Sequence, residues 1–133
     1  MLVVVDTNVL VSGLLNPFGS PGAVVSFLLE GRITPCYDAR ISSEYQGVLA
    51  RPKFGFHPEE TAALLDYIRE NGRQVSAVPV KIPLRDASDL PFLECALATR
   101  AAVLVTGNLA HFPKRIGDTK VMPPHGFVKL LVK

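Results

Sequence analysis

The chain has 133 residues, 48% of them hydrophobic and 20% charged, with 14 Lys and Arg against 12 Asp and Glu for a net charge of +2. That length suits one domain over residues 1–133 with a core of its own, and the composition excludes low-complexity disorder and an apolar run long enough to span a bilayer. The small positive balance permits a polyanionic partner without demanding one, and two cysteines, Cys36 and Cys95, are too few for a zinc cluster or a disulfide framework and read as buried thiols.

Met1 runs directly into Leu2-Val3-Val4-Val5-Asp6 with no basic stretch ahead of it, so the expectation is an uncleaved cytosolic chain with no membrane segment. Val3-Val4-Val5 is a short β-branched run, the pattern of a strand covered on both faces. Ser20-Pro21-Gly22 then opens a helix through Leu29, with Ser20 as N-cap and Gly31 just past the end. A second strand is expected over Ile33 to Tyr37, and helical spacing follows from Ile41 to Ala50, closed by Arg51-Pro52.

Another helix is predicted from Pro58 to Asn71 with Gly72 as its stop, and then an edge strand over Val75 to Val80, limited by Pro79. A helix from about Asp89 to Thr99 leads into a buried strand over 101–105. The tail offers a strand around Val121 and a helix around Phe127 to Leu131. Strands alternating with helices predict an α/β fold with a central, mostly parallel twisted sheet flanked by helices on both faces.

In such sheets ligands bind beyond the carboxyl ends of the strands. Two polar clusters fall there: Asp6-Thr7-Asn8 after the first strand and Thr106-Gly107-Asn108 after the 101–105 strand. Either can serve simply as a cap or turn. Two acids sit oddly on their helices. At 100° per residue Asp89 projects among Phe92, Leu93, Ala96 and Leu97, and Glu44 falls beside Ile41 and Val48 at the margin of an apolar stripe.

A first-turn acid favoured by the helix dipole would explain Asp89, and a solvated edge would explain Glu44. Brought together, Asp6, Glu44 and Asp89 would repel by roughly 4 kcal/mol per pair at ~4 Å and an effective dielectric of ~20, so convergence implies a bound cation. Oxygen donors without His or Cys select Mg²⁺ or Mn²⁺, and the chemistry that fits is phosphodiester hydrolysis.

Four segments in order resemble PIN-domain nucleases: Val3-Val4-Val5-Asp6-Thr7-Asn8-Val9-Leu10, Ser43-Glu44, Asp86-Ala87-Ser88-Asp89-Leu90-Pro91-Phe92-Leu93-Glu94-Cys95-Ala96-Leu97-Ala98, and Leu104-Val105-Thr106-Gly107-Asn108. The likeness runs from residue 3 to about 113 and is greatest to the VapC-like toxins of toxin–antitoxin pairs. It implies a single PIN-like domain and a Mg²⁺- or Mn²⁺-dependent endoribonuclease acting on RNA. It also implies a homodimer and an antitoxin protein as partner. The implied metal ligands and catalytic residues are Asp6, Glu44 and Asp89.

The chain departs from the family at Asn108, where many relatives carry a fourth acid; its carbonyl oxygen can still face a metal or a metal's water, without charge. Thr7, Asn8, Asp86, Glu94 and Thr106 are placed next to the ligands as groups that orient them. Asp86 also reads as the acid that starts a helix, and Glu94, off its apolar stripe, as a surface residue. Arg40, Arg51, Lys53, His111, Lys114 and Arg115 are the expected RNA contacts, with Phe112 either stacking on a base or lying in the core. His57, His111 and His125 show no metal spacing and receive no catalytic role.

Two other classes stay open. One is a PIN-fold nucleic-acid-binding module without turnover, in keeping with Asn108. The other is a haloacid-dehalogenase-type phosphatase, which also starts with Asp after a strand but wants a second Asp where this chain has Asn8. No G-x-G-x-x-G or phosphate-cradling loop is present, which disfavours nucleotide binding.

Overall fold

The computed structural model describes residues 1–132. Its elements are β1 (Leu2–Val5), α1 (Thr7–Leu15), α2 (Ser20–Leu29), β2 (Thr34–Tyr37), α3 (Ala39–Leu49), α4 (Pro58–Asn71), β3 (Arg73–Gln74), α5 (Leu90–Thr99), β4 (Val103–Val105), β5 (Arg115–Ile116), β6 (Thr119–Met122) and α6 (Pro124–Leu131). Three short 3₁₀ turns, Pro52–Phe54, Ala87–Asp89 and Leu109–His111, interrupt the loops. The sheet order is β3-β2-β1-β4-β6-β5, with every pairing parallel except β5 against β6.

Successive strand residues point to opposite faces, and Val3, Val4 and Val5 are 0%, 0% and 1% exposed, so β1 is covered on both sides as the β-branched run predicts. Leu104 and Val105 beside it are equally buried. Helix α2 packs on both α1 and α6, while α3 packs on both α4 and α5. Among the described residues no single helix is long and apolar enough to cross a membrane. Cys36 and Cys95 are buried free thiols, and burial pushes Cys95 up to about 12, where it stays protonated.

Several local expectations are corrected. The edge strand over 75–80 does not form. Only Arg73 and Gln74 pair with Cys36 and Tyr37, and after the Val75 amide bonds the Tyr37 carbonyl at 3.0 Å the chain leaves the sheet. Pro79 has no amide to offer, and the Val80 amide is satisfied at 2.8 Å by the Glu94 carboxylate instead. Gly19, not Ser20, is the N-cap of α2. Gly31 ends that helix at φ +75, the left-handed C′ geometry expected of it.

Helix α1 is absent from the predicted elements. Its residues Thr7, Val9, Leu10, Val11 and Gly13 are buried, so no wet face marks a 3.6-residue period. Gly13 lets α2 approach closely, since a Cβ there would lie 2.7 Å from the Pro21 carbonyl oxygen.

Candidate metal centre

The strand order reverses between β1 and β4, since β1 continues to β2 on one side while β4 lies on the other. A crevice at their carboxyl ends follows from that topology. Asp6 is the residue after β1 and Thr106 the residue after β4. The Asp6 amide donates to the Val105 carbonyl at 2.9 Å, and the Thr106 hydroxyl donates to Asp6 Oδ2 at 2.8 Å. Asn8 Nδ2 reaches the same oxygen at 3.3 Å, and the Gly107 amide holds Asn8 Oδ1 at 3.1 Å. The two polar clusters of the sequence are therefore one hydrogen-bonded unit.

Glu44 enters from α3. The fully buried Tyr45 hydroxyl donates to the Val5 carbonyl and ties that helix to the end of β1, while the Thr7 hydroxyl donates to Glu44 Oε2. Asp89 ends the 3₁₀ turn that starts α5, and its Oδ2 lies 3.0 Å from His111 Nδ1. Asp6, Glu44 and Asp89, distant in sequence, line one cleft of about 340 Å³ together with Asn8, Val48, Arg51 and Phe54. A larger groove of about 420 Å³ beside Tyr37, Ser42, Gln46 and Arg69 holds no carboxylate.

Asp6 is 5% exposed. Burial raises its pKa to about 6, opposed by the Thr106 hydrogen bond and reinforced by the charges of Asp89 and Glu44. Asp89 is likewise raised, chiefly by desolvation. Among the described residues neither Asp6 nor Glu44 makes an ion pair with Lys or Arg. A walled set of carboxylate oxygens without an ion-paired Lys or Arg fits a hard divalent ion, which would supply the balancing charge.

The tightest grouping of ligand atoms is a different one. Asp86, Asp89 and His111 each offer an atom within 4.8 Å of the others, whereas Asp6 and Glu44 stand further back, each held by a hydroxyl.

The remaining site predictions divide sharply. Asp86 caps the 3₁₀ turn, accepting from the Ser88 amide and hydroxyl at 2.9 and 2.8 Å, as the helix-start reading expects. Glu94 is neither on the surface nor on the cleft. It is 4% exposed and bound to Arg40 at 2.6 Å, while Arg40 also holds Asp38 at 2.7 Å. Both expectations for this pair are corrected by one cause: two buried acids, Asp38 and Glu94, require a cation, and Arg40 is it.

Asn108 is exposed and does not line the cleft; its amide donates to the Thr106 hydroxyl at 2.9 Å. Among the expected RNA contacts Arg51 lines the cleft, Lys53 lies 5.1 Å over the Phe54 ring, and Lys114 and Arg115 are exposed away from it. Phe112 is core. His111, expected as an RNA contact and given no metal or catalytic role, touches Asp89 directly, and its only trace in the sequence is its place in the turn after Asn108.

No curated protein matches the chain. One solved structure of similar fold is a chain of VapBC2 from Rickettsia felis bound to a DNA fragment from their promoter, with TM-score 0.56 and 20% identity over 92% of this chain and 98% of that one. The PIN domain model matches residues 2–110, a span that contains β1, Glu44, the Asp86–Asp89 turn and the Thr106–Asn108 turn. That match removes the haloacid-dehalogenase reading, and the chain belongs to the PIN domain family.

Proposed function

We propose that this protein is a Mg²⁺- or Mn²⁺-dependent endoribonuclease of the cytoplasm and the toxin of a toxin–antitoxin pair, working as a homodimer restrained by an antitoxin. The observation that carries the reading is the convergence of Asp6, Glu44 and Asp89 on one cleft with no Lys or Arg ion-paired to them among the described residues. The partner assignments draw on the likeness to the VapBC2 chain and on family membership.

Asp6, Glu44 and Asp89 would hold the ion. When bound, it supplies a water of lowered pKa and positive charge for the phosphate oxygens. Thr106 and Asn8 fix the Asp6 carboxylate, Thr7 fixes Glu44, and His111 fixes Asp89, so that their lone pairs face the cleft. Arg51 on the cleft wall is placed to meet a backbone phosphate.

The test is cleavage of single-stranded and hairpin RNA with added Mn²⁺. The reading expects Asp6→Asn and Asp89→Asn to fold and to lose cleavage. Equal cleavage by wild type and both variants contradicts it, and RNA binding without cleavage by the wild type establishes the binding-module alternative that Asn108 keeps open.

A further inference from the structure

Two 3₁₀ turns meet on the outer side of the cleft. One, Ala87–Asp89, carries Asp89 and is capped by Asp86; the other, Leu109–His111, carries His111. Their three donor atoms all lie within 4.8 Å of one another, with His111 Nδ1 and Asp89 Oδ2 3.0 Å apart. Neighbouring ligands of an octahedral ion with ~2.1 Å bonds stand about 3.0 Å apart and opposite ones about 4.2 Å. The donors are thus already near the spacing that one ion imposes. Asp86 is preset as well, because Ser88 holds Oδ1 through both its amide and its hydroxyl and leaves the second oxygen free.

We propose that Asp86, Asp89 and His111 form a second cation position that takes a transition-metal dication such as Zn²⁺ or Mn²⁺ in preference to Mg²⁺. An imidazole nitrogen is a poor ligand for Mg²⁺ and a good one for the borderline-soft ions, and that donor is what separates this position from the all-oxygen set of Asp6 and Glu44. Binding takes the place of the His111–Asp89 hydrogen bond, with the metal on Nδ1 and the neutral ring's proton on Nε2. Three protein ligands leave coordination places for water or a phosphate oxygen. Asp89 belongs to both positions, so the second ion would add positive charge beside the cleft. The inference rests on the metal-dependent reading only through that shared carboxylate.

Calorimetric titration with Zn²⁺ alone separates the two. In Asp6→Asn protein, where the first position is crippled, one Zn²⁺ should still bind. Adding His111→Gln should weaken it about tenfold or more, the size of effect expected for a lost ligand or its direct support. Proton NMR of the wild type gives a second readout, with the His111 ring signals shifting at substoichiometric Zn²⁺ ahead of those of His57 and His125. Absence of Zn²⁺ binding in Asp6→Asn, or unchanged affinity after His111→Gln, overturns the second position. Mg²⁺ binding that survives His111→Gln and disappears with Asp6→Asn leaves the cleft reading intact in that case.

Discussion

Helices α3 and α5 each contribute acids to two places, and the two are treated oppositely. Asp38, the N-cap of α3, and Glu94, inside α5, are 6% and 4% exposed in their side chains and share Arg40. Glu44, further along α3, and Asp89, at the start of α5, meet Asp6 in a cleft where, among the described residues, no Lys or Arg is ion-paired to any of the three. A buried carboxylate needs a counter-charge, and the fold supplies one in the first place and withholds it in the second. The first cluster is a fastening: Glu94 also holds the Val80 amide and so draws the 75–80 segment against α5. The second is a seat for a charge from outside.

The comparison breaks first on chemistry. Asp6→Asn keeps an oxygen acceptor for Thr106 but removes a cation ligand, and several kcal/mol of lost transition-state stabilisation corresponds to a hundredfold or greater fall in cleavage rate. Single-turnover cleavage with Mn²⁺ measures it.

In the other cluster, Arg40→Met should leave two buried acids unpaired and lower stability by about 3 kcal/mol in urea unfolding, less than a fully buried ion pair would lose because Arg40 is 45% exposed. The Mg²⁺ response of the Arg40→Met protein should stay as in the wild type.

The pH dependence sharpens the contrast. In the fold Asp6 takes up its proton near pH 6, against 3.8 ordinarily, so between those values the native state binds more protons and metal-free stability rises as pH falls. The displacement is worth at most about 3 kcal/mol. Thermal unfolding of wild type minus Asp6→Asn across pH 4 to 7.5 isolates it; the difference should be largest at the upper end, with the variant the more stable protein. Smallest is Thr106→Val, which removes one hydrogen bond to Asp6 and should reduce metal-free stability by about 1 kcal/mol, while loosening Mg²⁺ about tenfold in calorimetry.

What could be read from the chain follows the same division. The buried Val3–Val5 strand, the Pro58–Asn71 helix and the position of Asp6 after β1 rest on local rules, and each stands in the structure. Helix α1 was hidden because a helix buried on most of its surface shows no alternation of wet and dry faces. The Arg40–Glu94 pair was hidden because helical periodicity says where a side chain points, not which charge on another element waits for it. His111 was hidden for a similar reason: a contact between two 3₁₀ turns leaves no spacing rule to read. Asp6, Glu44 and Asp89 could be singled out because an acid abutting a β-branched run or lying on an apolar stripe conflicts with its surroundings.

The most direct test of the central claim is thermal unfolding at pH 7.5 with and without Mg²⁺, on wild type and Asp6→Asn side by side. At an ion concentration a hundredfold above Kd the wild type should gain about 2.7 kcal/mol, bringing it level with or above a variant that was the more stable without metal and that gains little. A wild type that does not respond to Mg²⁺, or a variant that responds equally, would contradict a cleft built to receive a divalent ion.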